Sequence, residues 1–292
     1  MHVGLNLPVM APGVTRALVL DWCRRIDDGP FSSLAAGERI TFPNPEIMVT
    51  MAAAAVATAR VRLVLTALVL PMHSAVLAAK QVATLDVLSG GRVTLGVGVG
   101  AREEDFRAVG AVFDRRLLSR LEAGVTTLRR AWAGERVVNG APPVEPYPIQ
   151  PGGPPILAAS LFPRSIRRAA RWADGICGFS FAPDREEVAA AFELARRAWR
   201  EAGRDAPPRL VTSCWFALGP SARRQIDAYV HRYLDFLGPG VPDAVAPICR
   251  VTSGAALRDV LGQLADLGAD ELLLVPTTWD PAEVDRVADV LG

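Results

Sequence analysis

The sequence predicts an α/β chain closed into a (β/α)8 TIM barrel, a single domain over residues 1–292. Eight short apolar runs alternate with helical patterns, which favours a parallel sheet, and eight such repeats favour closure. The third run, Val61 to Leu70, is apolar almost without interruption, as a strand buried on both faces must be. A length of 292 residues suits one such barrel. The rival is a doubly wound open sheet, which rarely holds eight such regular units.

Taken in order, Val3 to Leu7 reads as the first strand, ended by Pro8, and Thr15 to Ile26 as a helix. After the turn Asp27-Asp28-Gly29-Pro30, Phe31 to Ala36 is the second strand, followed by Glu38, Arg39 and a Pro43–Pro45 loop. Glu46 to Ala59 is an alanine-rich helix, and Val61 to Leu70 follows. Pro71 to Gly110 holds one complete unit. Ser74 caps its helix, Leu77, Lys80/Gln81 and Thr84/Leu85 mark successive turns, and Ser89-Gly90-Gly91 stops it. Arg92 to Gly98 is then a buried fourth strand with a glycine-rich exit.

Arg116 to Ala133 is amphipathic, with Leu117, Leu121, Val125, Leu128 and Trp132 on one face. Asn139-Gly140 is a hairpin-type turn, and Pro142 to Pro155 a surface excursion. Ile156 to Ala159 and Gly175 to Phe179 are the fifth and sixth strands, separated by a helix that Pro163 opens. A helix with Val188, Phe192, Ala195 and Trp199 inward precedes the seventh strand, Leu210 to Leu218. Ser221 to Leu237 is helical, Gly238 to Thr252 irregular, and Ser253 caps a further helix. Glu271 to Val275 is the eighth strand, and Asp280-Pro281-Ala282-Glu283 reads as a capping box.

Composition removes several classes. Net charge is +1, against the basic excess of a nucleic-acid-binding surface. The apolar stretch Val49 to Leu70 is broken by Arg60 and Arg62, which argues against a membrane span, and the N-terminus lacks a signal-peptide pattern. Cys23, Cys177, Cys214 and Cys249 stand far apart without metal-site spacing and read as thiols of a reducing, cytoplasmic compartment. With only His2, His73 and His231 present, no metal site is expected.

A barrel of this kind carries its chemistry where strands end. The fourth exit, Gly96-Val97-Gly98-Val99-Gly100, has its first glycines inside the strand, unlike a dinucleotide loop that opens straight into a helix. A flat ring lying across the mouth explains them; close packing is the alternative. Glu38, leaving the second strand, suits a hydrogen bond to substrate or cofactor, or proton donation, or equally a salt bridge with Arg39 or Arg102. His73 suits a proton shuttle, or else helix capping or simple exposure. Arg102, in the charged loop Arg102-Glu103-Glu104-Asp105, suits an anionic cofactor. Ser160, Arg164 and Ser165 surround a helix start suited to phosphate, although Leu161-Phe162 makes that loop bulky. Phe179, Trp215 and Trp279 read as core or pocket wall.

Three blocks, FSSLAAGERITFPNPE, VLPMHSAVLAAKQVATLDVLSGGRVTLGVGVGAREEDFRAVG and RSIRRAARWADGI, fall in family order and resemble the bacterial luciferase-like oxidoreductases. The nearest likeness is to the actinobacterial branch that uses the deazaflavin coenzyme F420. The resemblance implies a homodimeric (β/α)8 barrel holding F420, or alternatively FMN, at the strand C-termini. It places the ring beside a third-strand bulge at Thr66-Ala67-Leu68, where a non-proline cis peptide is common, with Gly98-Val99-Gly100-Ala101 on the other side. It puts Glu38 near the ring's reactive edge and the phosphate on the loop Ala159-Ser160-Leu161-Phe162. Two departures stand out: that loop lacks the usual small pair, and Ala101 replaces an acid common in F420 enzymes.

The expected activity is hydride transfer between F420 and a small organic substrate bearing C=C, C=N or alcohol/carbonyl. Glu38 and His73 are the candidate catalytic residues. Ala67, Leu68, Gly98, Val99, Gly100, Arg102, Ala159, Ser160, Leu161, Phe162 and Arg164 are the candidate cofactor residues. Alternatives are an FMN-dependent monooxygenase and a barrel that has lost its cofactor and serves as a binding protein. Substrate choice is expected in the loops after the strands.

Overall fold

The computed structural model describes residues 1–160, 162–238 and 240–292. Eight parallel strands close in sequence order: β1 (His2–Asn6), β2 (Ser33–Ala36), β3 (Arg62–Leu68), β4 (Val93–Val97), β5 (Ile156–Ala158), β6 (Gly175–Cys177), β7 (Arg209–Phe216) and β8 (Glu271–Pro276). Closure is direct, since Val3 of β1 pairs with Leu272 of β8.

Side-chain alternation along these strands sorts the interior into layers. At the N-terminal end lies a polar layer. Glu271, 1 % exposed, accepts from Ser32 Oγ at 2.7 Å and Ser33 Oγ at 2.6 Å, and pairs with Arg209 at 2.5 Å. Arg62 spans to Thr94 Oγ1 at 2.8 Å. Above it, Ala35, Val64, Leu157, Cys177, Val211 and Leu273 form a small apolar cluster inside the barrel. The larger core lies between the strands and the surrounding helices. Burial pushes the Cys23, Cys177 and Cys214 thiols up to about 12, and Cys249 to about 11, so all four are inert at neutral pH.

Helices α1 (Arg16–Asp28), α2 (Ile47–Ala57) and α3 (Ala75–Ser89) cover β1 to β4. Ser74 caps α3 by accepting from Leu77 N, and Gly90 ends it at φ +68°, the left-handed region glycine tolerates. The buried face of α3 is Ala78, Ala79, Val82, Ala83 and Leu85. Leu77, which marks the first of the expected turns, is 54 % exposed. The charged loop after β4 is instead a short helix from its second residue, α4 (Glu103–Ala108), its three acids in the first turn suiting the helix dipole. Helices α5 (Leu117–Trp132), α6 (Pro163–Ala169), α7 (Arg185–Glu201) and α8 (Ala222–Leu234) follow. The segment expected to be irregular holds α9 (Gly240–Val245) and a 3-10 turn, Ala246–Ile248, before α10 (Gly254–Asp266) and α11 (Ala282–Leu291).

Strand bounds shift too. The second strand begins at Ser33, not Phe31, the third ends at Leu68, the sixth ends at Cys177, and the seventh runs Arg209–Phe216. Apolar residues beyond these ends pack as loop. Asn139-Gly140 is a turn that joins no strands. The capping box also fails. Glu283 turns away from its own helix start and accepts from Leu218 N at 2.7 Å and Gly219 N at 2.9 Å, pinning the β7 exit. Among the described residues no helix is long and apolar enough to cross a membrane, and no three potential ligands gather for a metal ion.

Candidate active site

The mouth of the barrel opens where β1 to β8 end. The β3–β4 register shifts between Leu65 and Leu68, and the Thr66–Ala67 peptide bond is cis, both at the place the resemblance indicated. Beside this bulge the next two strand exits are small. A Cβ added to Gly98 would meet the Ala159 Cβ at 3.5 Å and the Ala67 Cβ at 3.7 Å, ordinary contact distances. Ala67, Gly98 and Ala159 therefore form a shallow floor across β3, β4 and β5. The other two glycines have structural duties. A Cβ on Gly96 would lie 2.3 Å from the Leu65 carbonyl oxygen, and Gly100, at φ +73°, would strike Val69 Cγ1 at 2.6 Å. Close packing thus requires two of the three glycines, whereas Gly98, though buried, could take a Cβ at ordinary contact distance. Val99 is half-buried against the core, and Leu68 is fully buried in it, so the Leu68 side chain contributes to packing while its carbonyl accepts from Gly98 N at 2.9 Å.

Glu38 leaves β2 and turns across to the β3 exit. Its Oε2 accepts from Val69 N at 2.6 Å, and its Oε1 lies 2.8 Å from His73 Nε2. Neither Arg39 nor Arg102 pairs with it, so the salt-bridge alternative is replaced by a carboxylate–imidazole pair. His73 in turn neither caps α3, which Ser74 does, nor sits fully exposed. Burial disfavours the imidazolium, but the hydrogen bond and charge of Glu38 outweigh it and raise the His73 pKa above its ordinary 6.5. With Nε2 committed to Glu38, Nδ1 is the nitrogen free to exchange a proton.

Inside the mouth, a narrow cleft of about 60 Å³ is bounded by Asn6, Gly37 and Thr66 on one side and by Phe179, Trp215 and Tyr233 on the other. The aromatic side is continuous: Phe179 and Trp215 sit 5.0 Å apart edge to face, and Trp215 and Tyr233 5.2 Å. Asn6 donates from Nδ2 to Thr66 Oγ1 at 3.1 Å, while its buried Oδ1 has no partner among the described residues. Trp279 is not part of this wall; its Nε1 donates to Ala11 O at 2.9 Å in the core beside Trp22.

Ser160 lies apart from the cleft. It lines a second cavity of about 240 Å³ with Gly178, Ser180, Glu187 and Thr212. Of the supporting donors expected there, Ser165 spends its hydroxyl on Phe162 O at 2.8 Å, Arg164 is exposed, and Phe162 is 72 % exposed. Leu161 lies outside the described residues. Ser180 Oγ is 3.1 Å from Glu187 Oε2, so a carboxylate shares this cavity with the hydroxyls. The small residues Ala67, Gly98 and Ala159 at neighbouring strand exits suit a flat heteroaromatic ring. The fit for a phosphate is weaker, resting on Ser160 and neighbouring backbone.

Arg39 and the tyrosines of α8 escaped sequence reading as site residues. The only signal was adjacency to Glu38, because α8 reaches the mouth by a long tertiary path.

A closed parallel barrel whose polar and small residues converge at the strand C-termini defines an α/β-barrel protein with its site at that face. The chain belongs to the luciferase-like monooxygenase family, whose profile matches residues 5–272. It is 33 % identical over 171 residues to an uncharacterised protein of Mycobacterium tuberculosis, covering 56 % of this chain and 59 % of that one. The chain therefore spans under two thirds of that relative's length. In structure it is similar to the monooxygenase RslO1 of Streptomyces bottropensis, with TM-score 0.81, 22 % identity, and 100 % and 98 % of the two chains covered. An F420-dependent secondary alcohol dehydrogenase bound to an F420–acetone adduct aligns at TM-score 0.79 and 15 % identity, covering 99 % and 98 %. The oxygenating constituent of 3,6-diketocamphane monooxygenase of Pseudomonas putida, with FMN, aligns at 0.73 and 19 %, covering 99 % and 96 %. The structural neighbours thus include proteins that bind F420 and proteins that bind FMN.

Proposed function

We propose that this chain is an F420-dependent oxidoreductase moving a hydride between the deazaflavin and a carbonyl, alcohol, C=C or C=N group of a small organic molecule. One observation carries the reading: Glu38, which holds His73 Nε2 at 2.8 Å, accepts from Val69 N just past the β3 bulge that carries Ala67, so a proton donor is anchored to the strand end suited to a flat ring. When bound, the cofactor supplies or takes the hydride. Ala67, Gly98 and Ala159 would hold its ring, with Asn6 Oδ1 as an acceptor for a ring or substrate N–H, and Ser160 beside its phosphate. Glu38 acts as the positioning residue: it fixes the imidazole and favours its protonated form. His73 Nδ1 gives a proton to the developing oxyanion in reduction and takes it back in oxidation. The aromatic wall excludes water from the reacting centre.

Titration of the purified chain with F420 and with FMN tests this. Saturable F420 binding, with substrate-dependent change of the deazaflavin absorbance, is expected; no binding up to millimolar F420 rejects the reading. The FMN monooxygenase reading is favoured by the two monooxygenase neighbours, and oxygen consumption with FMN and a flavin reductase would establish it instead. We also propose a cytoplasmic homodimer, supported by an apolar face, Val49, Ala53 and Val56 of α2 with Leu77 and Leu88 of α3, that lies exposed in the single chain.

A further inference from the structure

Arg39 is 92 % buried, at 8 % exposure, yet no described carboxylate or carbonyl accepts a hydrogen bond from its guanidinium. It is held by rings instead: its Cζ lies 3.7 Å from the Tyr233 centroid, 4.7 Å from Phe42 and 5.0 Å from Phe236. A second guanidinium flanks the same phenyl group, with Arg102 Cζ 5.2 Å from the Phe236 centroid. Among the described residues Arg102 reaches only Thr41 O, at 3.5 Å, and its buried Nε has no partner. The nearby acid, Asp105, turns its Oδ1 to Thr41 N at 2.7 Å and Thr41 Oγ1 at 2.6 Å rather than to either arginine. Burial and the neighbouring Arg102 both oppose the Arg39 charge, while Tyr233, Tyr229 and Asp105 offset them in part.

Two cations around one ring, one of them almost wholly buried, are costly without a counter-charge. A shared oxyanion would satisfy both, and a guanidinium fork matches carboxylate geometry. The position is telling as well. Arg39 follows Glu38 in the chain, so the clamp and the His73–Glu38 pair both start from the β2 exit, Glu38 turning to β3 and Arg39 to α8. Tyr233, the ring Arg39 covers, also walls the cleft, in edge-to-face contact with Trp215 and stacked on Tyr229 at 5.7 Å. A ligand anchored at Arg39 would therefore lay its body along an aromatic surface. The phosphate cavity at Ser160 belongs to the β5–β6 exits, away from the β2 and β4 exits that carry the two arginines.

We infer that Arg39 and Arg102 form an oxyanion clamp, and that the substrate is a planar aromatic or polycyclic molecule bearing a carboxylate. The inference rests on the oxidoreductase reading for calling that ligand a substrate, but the clamp itself does not depend on any cofactor. It makes Arg39 and Arg102 specificity residues: they set which molecule enters and how it is oriented.

The test is a calorimetric titration of the full chain with 2-naphthoate and its neutral isostere 2-naphthamide, for wild type, Arg39→Gln and Arg102→Gln. Wild type is expected to favour naphthoate by roughly tenfold or more, with the preference shrinking as salt rises. Each variant should lose that preference while still binding naphthamide, which also reports an intact cleft. Should Arg39→Gln not fold, the wild-type preference and Arg102→Gln decide. Equal affinity for the two probes in wild type, or a preference that survives in Arg102→Gln, overturns the clamp. FMN and riboflavin form a further arm: a variant that weakens FMN but not riboflavin, and leaves naphthoate untouched, reassigns the cations to a cofactor phosphate and overturns the substrate assignment. Naphthoate preference without F420 or FMN binding would leave the clamp standing and remove the proposed function; cofactor binding without the preference would do the reverse.

Discussion

Gly96 and Gly98 are two residues apart, yet their substitutions should fail in different ways. An alanine at Gly96 drives its methyl into the Leu65 carbonyl, so Gly96→Ala should cost about 1–3 kcal/mol in chemical denaturation. At Gly98 an added Cβ meets only Ala67 and Ala159 at contact distance, so for Gly98→Ala the melting temperature should move little while ring binding weakens by roughly tenfold. A cofactor titration beside a thermal melt separates the two effects. The Glu38–His73 pair titrates as a unit of consequence. Its folded-state histidine pKa lies above 6.5, so the folded chain holds that proton more tightly than the unfolded one. The resulting stability is complete below about 6.5 and is lost as pH rises through the folded value. Glu38→Gln should bring the His73 pKa back down, as read by NMR titration. Under the proposed mechanism, the alkaline limb of the reduction rate moves to lower pH with it. His73→Gln should lower turnover roughly 10²- to 10⁴-fold with a smaller effect on cofactor binding.

Among the elements, β8 does two jobs. Leu272 and Leu274 face the helices, whereas Glu271 and Leu273 face the interior, so one strand serves two cores. Glu271 is the hub of the polar layer, and removing it strands the Arg209 guanidinium and the Ser32 and Ser33 hydroxyls. Glu271→Ala should therefore destabilise the chain by about 3 kcal/mol in urea denaturation, with the cleft at the opposite end still able to bind. Helix α11 shows how an end pattern can be redirected. Asp280 still accepts from Ala282 N at 3.1 Å, but Glu283 finds two free N–H groups at the β7 exit and a partner in Arg286 at 2.8 Å. A local capping rule yields when a neighbouring strand end offers buried donors that would otherwise go unsatisfied.

For the whole molecule, closure leaves no sheet edge, so association must use helix surfaces. The α2 segment from Ile47 to Ala57 carries no charge, and Val49 and Val56 are 70 % and 73 % exposed. Replacing both with lysine should convert the proposed dimer to a monomer in sedimentation velocity, with the fold retained because neither side chain belongs to the core. An already monomeric wild type would refute the homodimer.

The periodic features of the barrel were legible in the residues. Alternating apolar runs, Ser74 before α3 and the glycine stop after it are set by neighbours a few positions away, and such rules act before the chain closes. The small exit at Gly98 was legible for the same reason, as a local absence of bulk, whereas Ala67 and Ala159 were indicated only by the family resemblance. What no local rule contained is which distant groups would meet. Glu38 pairs with His73 and not with its neighbour Arg39, because β2 and β3 run side by side and bring Val69 N and the imidazole within reach. Arg39 turns instead to rings on and just after α8, nearly 200 residues onward in the chain. The barrel and the position of its mouth follow from the order of residues along the chain. Which charges find partners and which are left bare follows from the closed ring of strands, because closure sets residues far apart in the chain side by side.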